Sequence, residues 1–407
     1  MTLLYSEVEE ELRAAVRAVL ADRCPPAAVL ARAESEPYDP SLWKTLAVEI
    51  GVAGLLVPEE HGGAGATASE AAVVLEELGR GVAPVPFFTS SVLATYALVR
   101  AGETGAGEEV GGLLGRLAEG RATAALVVPF AASPYRPWPV RGGVAEAGEQ
   151  LSGSVADGEA RPSGSVADGE ARPSGSVADD GARLSGSVAG VAGADVADVL
   201  VVPVPGPDGT AVLYAVDRAA AAVEAAPSLD LTRPVATVTL DGAPAVRLGV
   251  VDLAEVLRFG AGLLASEQLG VAEWCLETTL AYVKDRRQFA RPVGSFQAVK
   301  HRLADLWLDV VRARAVARAA VSPSDEARPD PVAVAVAQAW NGGVAVHVAE
   351  EALQLHGGIG MTWEHPVHLF LKRAKADEIA LGTPGDHREA LASLADVPGP
   401  VPVSFAE

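Results

Sequence analysis

The sequence predicts an α+β protein in three parts: an N-terminal all-helical domain over residues 1–118, a middle antiparallel β-domain over 119–247 and a C-terminal four-helix bundle over 248–395, with an irregular tail at 396–407. Three observations predict it. Apolar residues recur at three- and four-residue spacing before residue 118, and do so again after 252. Between them lie short Val- and Ala-rich runs bounded by Gly, Pro and Asp. A chain of 407 residues, 49% of them hydrophobic, supplies core enough for two or three such units.

The first part reads as helices with explicit ends. Ser6, followed three residues later by Glu9, has the form of a capping box; Val8, Leu12, Val16, Val19 and Leu20 share one face, and Pro25-Pro26 stops the run. Leu42, Leu46 and Ile50 mark a second helix, which gives way to the turn-rich GVAGLLVPEEHGGAG before a third, ASEAAVVLEELGRG. In the middle part, ATAALVVPF, DVLVVPV, AVLYAVD and VATVTLDG each have strand length and turn residues at their ends. Among them runs an internal repeat of constant register. SGSVADGEARP begins at Ser152 and Ser163, SGSVADDGARL at Ser174 and SGSVAG at Ser185, a period of 11 residues. One Val per unit is too little apolar surface for stacked repeats, so residues 152–184 read as a tandem insertion that duplicated one hairpin strand. Asp252 and Glu255, a second capping pair, open the third part, with helices expected near 253–285, 296–320, 331–355 and 365–381. Residues 331–355, PVAVAVAQAWNGGVAVHVAEEALQL, alternate in places like a strand, but their length decides for a buried helix.

Charge and composition narrow the function. A net charge of −21 argues against nucleic acid as a partner and requires any nucleotide site to be locally basic. KDRRQFAR and LKRAK are the basic spots. Two cysteines, Cys24 and Cys275, are too few for a disulfide framework or a zinc site. Five histidines lie between His347 and His387, with His365 and His368 at i, i+3, but no third spaced ligand accompanies them, and no metal is expected. SEVEEELR interrupts any apolar leader and no run of eighteen apolar residues occurs, so the expectation is a cytoplasmic protein without a membrane span.

The helix ending near Leu355 breaks at Gly357-Gly358, where backbone can approach a ligand closely. A second helix follows with His368, Lys372, Arg373 and Lys375, then the turn Gly382-Thr383-Pro384-Gly385, read as offering free backbone N–H groups. Glycine breaks flanked by cations suit phosphates. QLHGGIG with TWEHPVHLFLKRAK, and upstream YVKDRRQFARPVGSFQAVKHRLADL at 282–306, resemble two signatures of the acyl-CoA dehydrogenase family of flavoproteins. LAVEIGVAGLLVPEEHGGAG and VVLEELGRGVAPVPF resemble its N-terminal helical domain.

The resemblance implies FAD, with its flavin between the β-domain and the bundle and its pyrophosphate and adenosine reaching a neighbouring subunit. The matching positions are Arg286, Phe289, Gln297, Gln354, Gly357, Gly358 and Thr383. It implies α,β-dehydrogenation of an acyl-CoA or another acyl thioester: a carboxylate takes the α-proton and the β-hydrogen leaves as hydride to the flavin. Electron-transfer flavoprotein or another acceptor, and a homo- or hetero-oligomeric dimer or tetramer, follow from the same resemblance. The chain departs from the family pattern in three places. Where the family carries its base in a tyrosine-glutamate-glycine-threonine turn, Gly382-Thr383 aligns and leaves Leu381 at the glutamate; where other members carry the base on the first bundle helix stands Gly260. Where a threonine-glutamate-proline stretch meets the flavin, LVVPFAAS keeps Ser133 as the one hydroxyl. Glu267 and Glu378 are the remaining candidate bases, both expected on solvated helix surface. Two functions stay open, an FAD-dependent dehydrogenase with an unusual base and a base-lacking, FAD-binding partner subunit, with a non-redox scaffold as a third.

Overall fold

The structure, a computed structural model, describes residues 4–105, 107–138, 144–146, 182–206, 209–322 and 328–396. Helices α1 (Glu7–Arg23), α2 (Pro26–Arg32), α3 (Pro40–Lys44), α4 (Ala68–Gly81), α5 (Thr95–Gly102) and α6 (Gly107–Ala118) form the N-terminal part. The Ser6 capping box is made in both directions, with Ser6 Oγ accepting the Glu9 N–H and the Glu9 carboxylate accepting the Ser6 N–H. Val16 and Leu20 are buried as their spacing requires, whereas Val8 faces solvent. A π-helical stretch, Phe87–Ala94, leads into α5 and is buried along its whole length.

Strands β1 (Ala124–Leu126), β2 (Val144–Glu146), β3 (Ala182–Ala192), β4 (Val199–Pro205), β5 (Ala211–Asp217), β6 (Ala222–Ala226) and β7 (Val235–Val251) make one sheet in the order β1-β4-β5-β7-β3-β2, with β6 also on β7. The sheet is not wholly antiparallel. β1 runs parallel to β4, with Ala124 opposite Val199, because the chain leaves β1 and returns only through a long crossover. β7 extends well beyond VATVTLDG and pairs with β5, β3 and β6 in turn. The last repeat unit lies in β3, where Leu184 and Val188 are buried opposite Ala243 and Val238. Residues 147–181, which hold most of the expected insertion, and the tail from 397 lie outside the described residues. Leu stands before the first unit, at Leu151, as it does before the last, at Leu184.

The C-terminal part holds α7 (Leu253–Asp285), the hairpin β8 (Arg287–Gln288) and β9 (Arg291–Pro292), then α8 (Gln297–Ala320), α9 (Pro331–His356), α10 (Val367–Ile379) and α11 (Pro384–Leu394). By length and composition α9 is apolar enough to cross a bilayer, yet it packs against α7, α8, α10 and α11. Two of its polar residues donate inside that core, Gln338 to the Ala261 carbonyl (2.6 Å) and Asn341 to that of Ala265 (2.9 Å), while Asn341 Oδ1 has no partner among the described residues. α4 crosses α7 backbone to backbone, because a Cβ on Gly79 or Gly270 would collide with the facing carbonyls of Glu267 and Glu76.

Candidate functional site

The two positions where a base is expected come from opposite ends of the third part, and the fold brings them together. A Cβ on Gly260 of α7 would lie 2.9 Å from Leu381 Cδ1 and would collide with Leu93 of the π-helical stretch. Leu381 is fully buried with its backbone in the left-handed region (φ 52°), a strained setting for a branched side chain. Its N–H donates to the Phe130 carbonyl (2.9 Å) and is therefore not free to polarise a thioester oxygen. The space that remains between Thr89, Leu93, Phe130, Ala192 and Leu381 is about 10 Å³, no more than one water needs.

The neighbouring polar side chains bond within the chain. Ser133 Oγ accepts the Tyr135 N–H (3.3 Å) and sits against Gly382. Thr383 is the N-cap of α11, closed in a capping box on Asp386 that uses its hydroxyl and its N–H, which corrects the reading of this turn as one of free N–H groups. His387 Nε2 donates to the Leu381 carbonyl (3.1 Å), so Nδ1 accepts the Tyr135 hydroxyl (2.9 Å). Burial pushes His387 down to about 4, which keeps it neutral in this role. With Arg136 on Asp386 (2.9 Å), these contacts fasten the segment after β1 directly onto the α10–α11 turn.

Neither candidate base reaches this space. Glu267 is not on solvated surface: it is buried and ion-paired to Arg233 and Arg373. Those guanidiniums also hold Asp377, 2.5 Å from Arg233, and Asp230, which pairs with Arg373. The cluster ties the loop before β7 to α7 and α10. Burial would raise the Asp230 carboxyl, but Arg373 and Arg233 outweigh it and hold it below the usual range. Asp377 goes the other way, pushed up to about 8 by burial and by Glu267 against the pull of Arg233. Glu378 is partly exposed on α10 and pairs with Lys375 (2.7 Å). Arg373 is thus wholly buried and Lys375 is paired, so LKRAK is not the basic phosphate site expected; Lys372, over the Trp363 ring at 4.4 Å, is its one surface cation without a carboxylate partner among the described residues.

The opposite holds at the ends of α7 and α9. Tyr282, one turn before Arg286, stacks on His356, the residue before Gly357 (4.6 Å), which sets the α7 terminus beside the glycine break. Arg302 on Glu351 (2.8 Å) aligns the start of α8 with the same place. Arg286, Gln297 and Gln354 are exposed, and none of their side chains has a hydrogen bond or ion pair with a described residue. A Cβ on Gly357 or Gly358 would meet nothing within 4 Å. Phe289 and Ala290, both left-handed (φ 52° and 61°), form the two-residue tip of the β8–β9 hairpin, and that strained turn holds Phe289 87% exposed. The Gly357 N–H caps α9 on the Gln354 carbonyl, so one cation and two amides beside sterically open glycine backbone are the donor set, one suited to a diphosphate and its nucleoside. Around it Met361 and Trp363 are exposed as well, an apolar rim that sequence reasoning missed although MTW directly follows the glycine break.

The comparisons with known proteins agree over the whole chain. Residues 6–114 match the acyl-CoA dehydrogenase N-terminal domain and residues 249–394 the acyl-CoA dehydrogenase C-terminal domain. The chain is 35% identical to acyl-CoA dehydrogenase IpdE2 of Mycolicibacterium smegmatis over 96% of its own length and 98% of the relative's. Among solved structures it resembles a variant of the Tcur3481-Tcur3483 steroid ACAD (30% identity, TM-score 0.78, 97% of this chain and 99% of that one). It also resembles a chain of the ChsE4-ChsE5 complex from Mycobacterium tuberculosis (29% identity, TM-score 0.78, 98% and 100%).

Proposed function

This chain belongs to the acyl-CoA dehydrogenase family, whose proteins bind FAD, and from that premise we propose that it is the base-lacking, FAD-binding subunit of a heteromeric acyl-CoA dehydrogenase. In this reading Arg286, Gln297, Gln354 and the Gly357-Gly358 backbone hold the pyrophosphate and adenosine of an FAD. A related, glutamate-bearing chain holds the ring and the acyl thioester. Bound FAD supplies the hydride acceptor, and electron-transfer flavoprotein or a similar acceptor takes the electrons onward. The observation that carries the reading is the packing of Leu381 and Leu93 onto Gly260, which leaves this chain's own acyl site about 10 Å³ and no proton acceptor. Two of the whole-length relatives bear two-chain names, which supports the pairing, and the steroid dehydrogenase among them makes bulky polycyclic acyl-CoAs the first substrates to try. A self-sufficient dehydrogenase would need Glu267 or Glu378, and both are engaged elsewhere by cations. A scaffold without flavin would have no use for the Arg286, Gln297 and Gln354 side chains, which have no partner among the described residues.

The test is to produce the chain alone and together with a related chain that carries the glutamate. The pair is expected to hold one FAD per two chains and to bleach on acyl-CoA addition, while the chain alone, supplied with FAD, does neither. Bleaching of flavin by the isolated chain would refute the assignment.

A further inference from the structure

Away from both halves of the flavin site, the N-terminal helices and the bundle enclose a cavity of about 420 Å³, within the range that holds a small-molecule ligand. Its walls are apolar. Leu56 and Val99 face Phe259 and Leu263 of α7, and the Tyr96 and Phe259 rings stack at 3.7 Å. This cavity shares no lining residue with the small space beside Leu93 and Leu381, so the two are separate.

One end of the cavity is charged, and its charges are held unequally. Glu255, buried, receives the Tyr96 hydroxyl (2.9 Å), Arg100 Nε (3.0 Å) and Arg328 (2.5 Å). The other end of the Arg100 guanidinium rests on Glu103 (2.5 Å), whose side chain is half exposed. A buried carboxylate thus fixes the orientation of Arg100, while the exposed one is screened by water and easily exchanged. A guanidinium locked on one side and exchangeable on the other, at the end of an apolar cavity, is arranged to receive a carboxylate that carries a hydrocarbon body.

We propose that this cavity binds an apolar carboxylic acid, its hydrocarbon against Phe259 and Leu263 and its carboxylate on Arg100 in place of Glu103. The site is independent of the flavin assignment, because none of its residues belongs to either half of that site. Decanoate and decanol, titrated calorimetrically into the full-length chain, test it. Decanoate is expected to bind saturably at one per chain and at least tenfold more tightly than decanol. Arg100→Gln brings decanoate down to the decanol level, and Leu263→Trp abolishes both. Val99→Phe fills the same space from the N-terminal side and is read instead if Leu263→Trp does not fold. Absence of saturable decanoate binding, equal binding of the alcohol, or binding that persists in a folded cavity-filling variant would each overturn the proposal.

Discussion

The turn at Leu381 and the glycine break at Gly357 are separated by α10, yet one is sealed and the other open. At Leu381 the Leu381 N–H, Thr383 and His387 all bond inside the chain, and the remaining space is filled by leucine. At Gly357 the side chains of a guanidinium and two amides have none among the described residues, the glycine backbone is sterically uncovered, and exposed aromatic residues lie nearby. The difference teaches that a cofactor site assembled from two elements can lose one half without the other. In the proposed assignment the ring side falls to the N-terminal turns of α7 and the α10–α11 turn and the nucleotide side to the C-terminal ends of α7 and α9, so packing changes at the first need not reach the second.

The contrast can be broken most forcefully by restoring the missing acid. Leu381→Glu puts a carboxylate among Leu93, Phe130 and Ala192, and is expected to cost about 3–4 kcal/mol of stability and to confer no turnover. A stable Leu381→Glu protein that oxidises acyl-CoA unaided would show the acyl site to be open after all. Arg286→Ala tests the other half. In the assembled pair it should weaken FAD binding by ~1.5–3 kcal/mol, tenfold or more by equilibrium dialysis, while thermal stability of the isolated chain stays unchanged. An unaltered FAD affinity would remove the open half from the nucleotide site.

The seam that keeps the closed half closed has its own signature in pH. Asp377 holds its proton in the folded chain up to about pH 8, far above an unfolded aspartate. The folded state therefore binds the extra proton, and the stability it contributes is full below about pH 4 and lost as pH rises through about 8. Wild-type protein should lose melting temperature between pH 7 and 9, and Asp377→Asn should lose less. Parallel curves for the two would place the proton elsewhere. Smallest of all should be the effect of deleting residues 152–184, on the order of 1 kcal/mol by chemical denaturation, since loop closure varies only with the logarithm of length. A deletion that fails to fold would make the repeat a structural element.

Among the long bundle helices α7 was legible through its marked start at Asp252, and α9 through length, its strand-like alternation notwithstanding. The convergence of Gly260 and Leu381 was legible only through family resemblance, since 120 residues of chain lie between them. The parallel pairing of β1 with β4 was not, because alternation reports burial and is silent about direction. Glu267 and Arg373 were misread for one reason. Local sequence shows a charged residue on a helix, and nothing nearby announces that Asp230 and Arg233 arrive from another domain to satisfy it. His356 was likewise read as part of a turn motif, and its stack on Tyr282 joins segments that no local pattern connects.

The pairing of Glu146 with Leu184 across β2 and β3 has a consequence for how the gene itself can vary. Leu151 repeats Leu184 in phase, so removal of residues 152–184 would bring Leu151 opposite Glu146 across a loop of residues 147–150, an ordinary hairpin length. Only removal of all three units 152–184 restores leucine at this place directly, because Pro162 and Pro173 precede the second and third units. The leucine that faces Glu146 is thereby written twice in the chain, and the sheet can be joined through either copy.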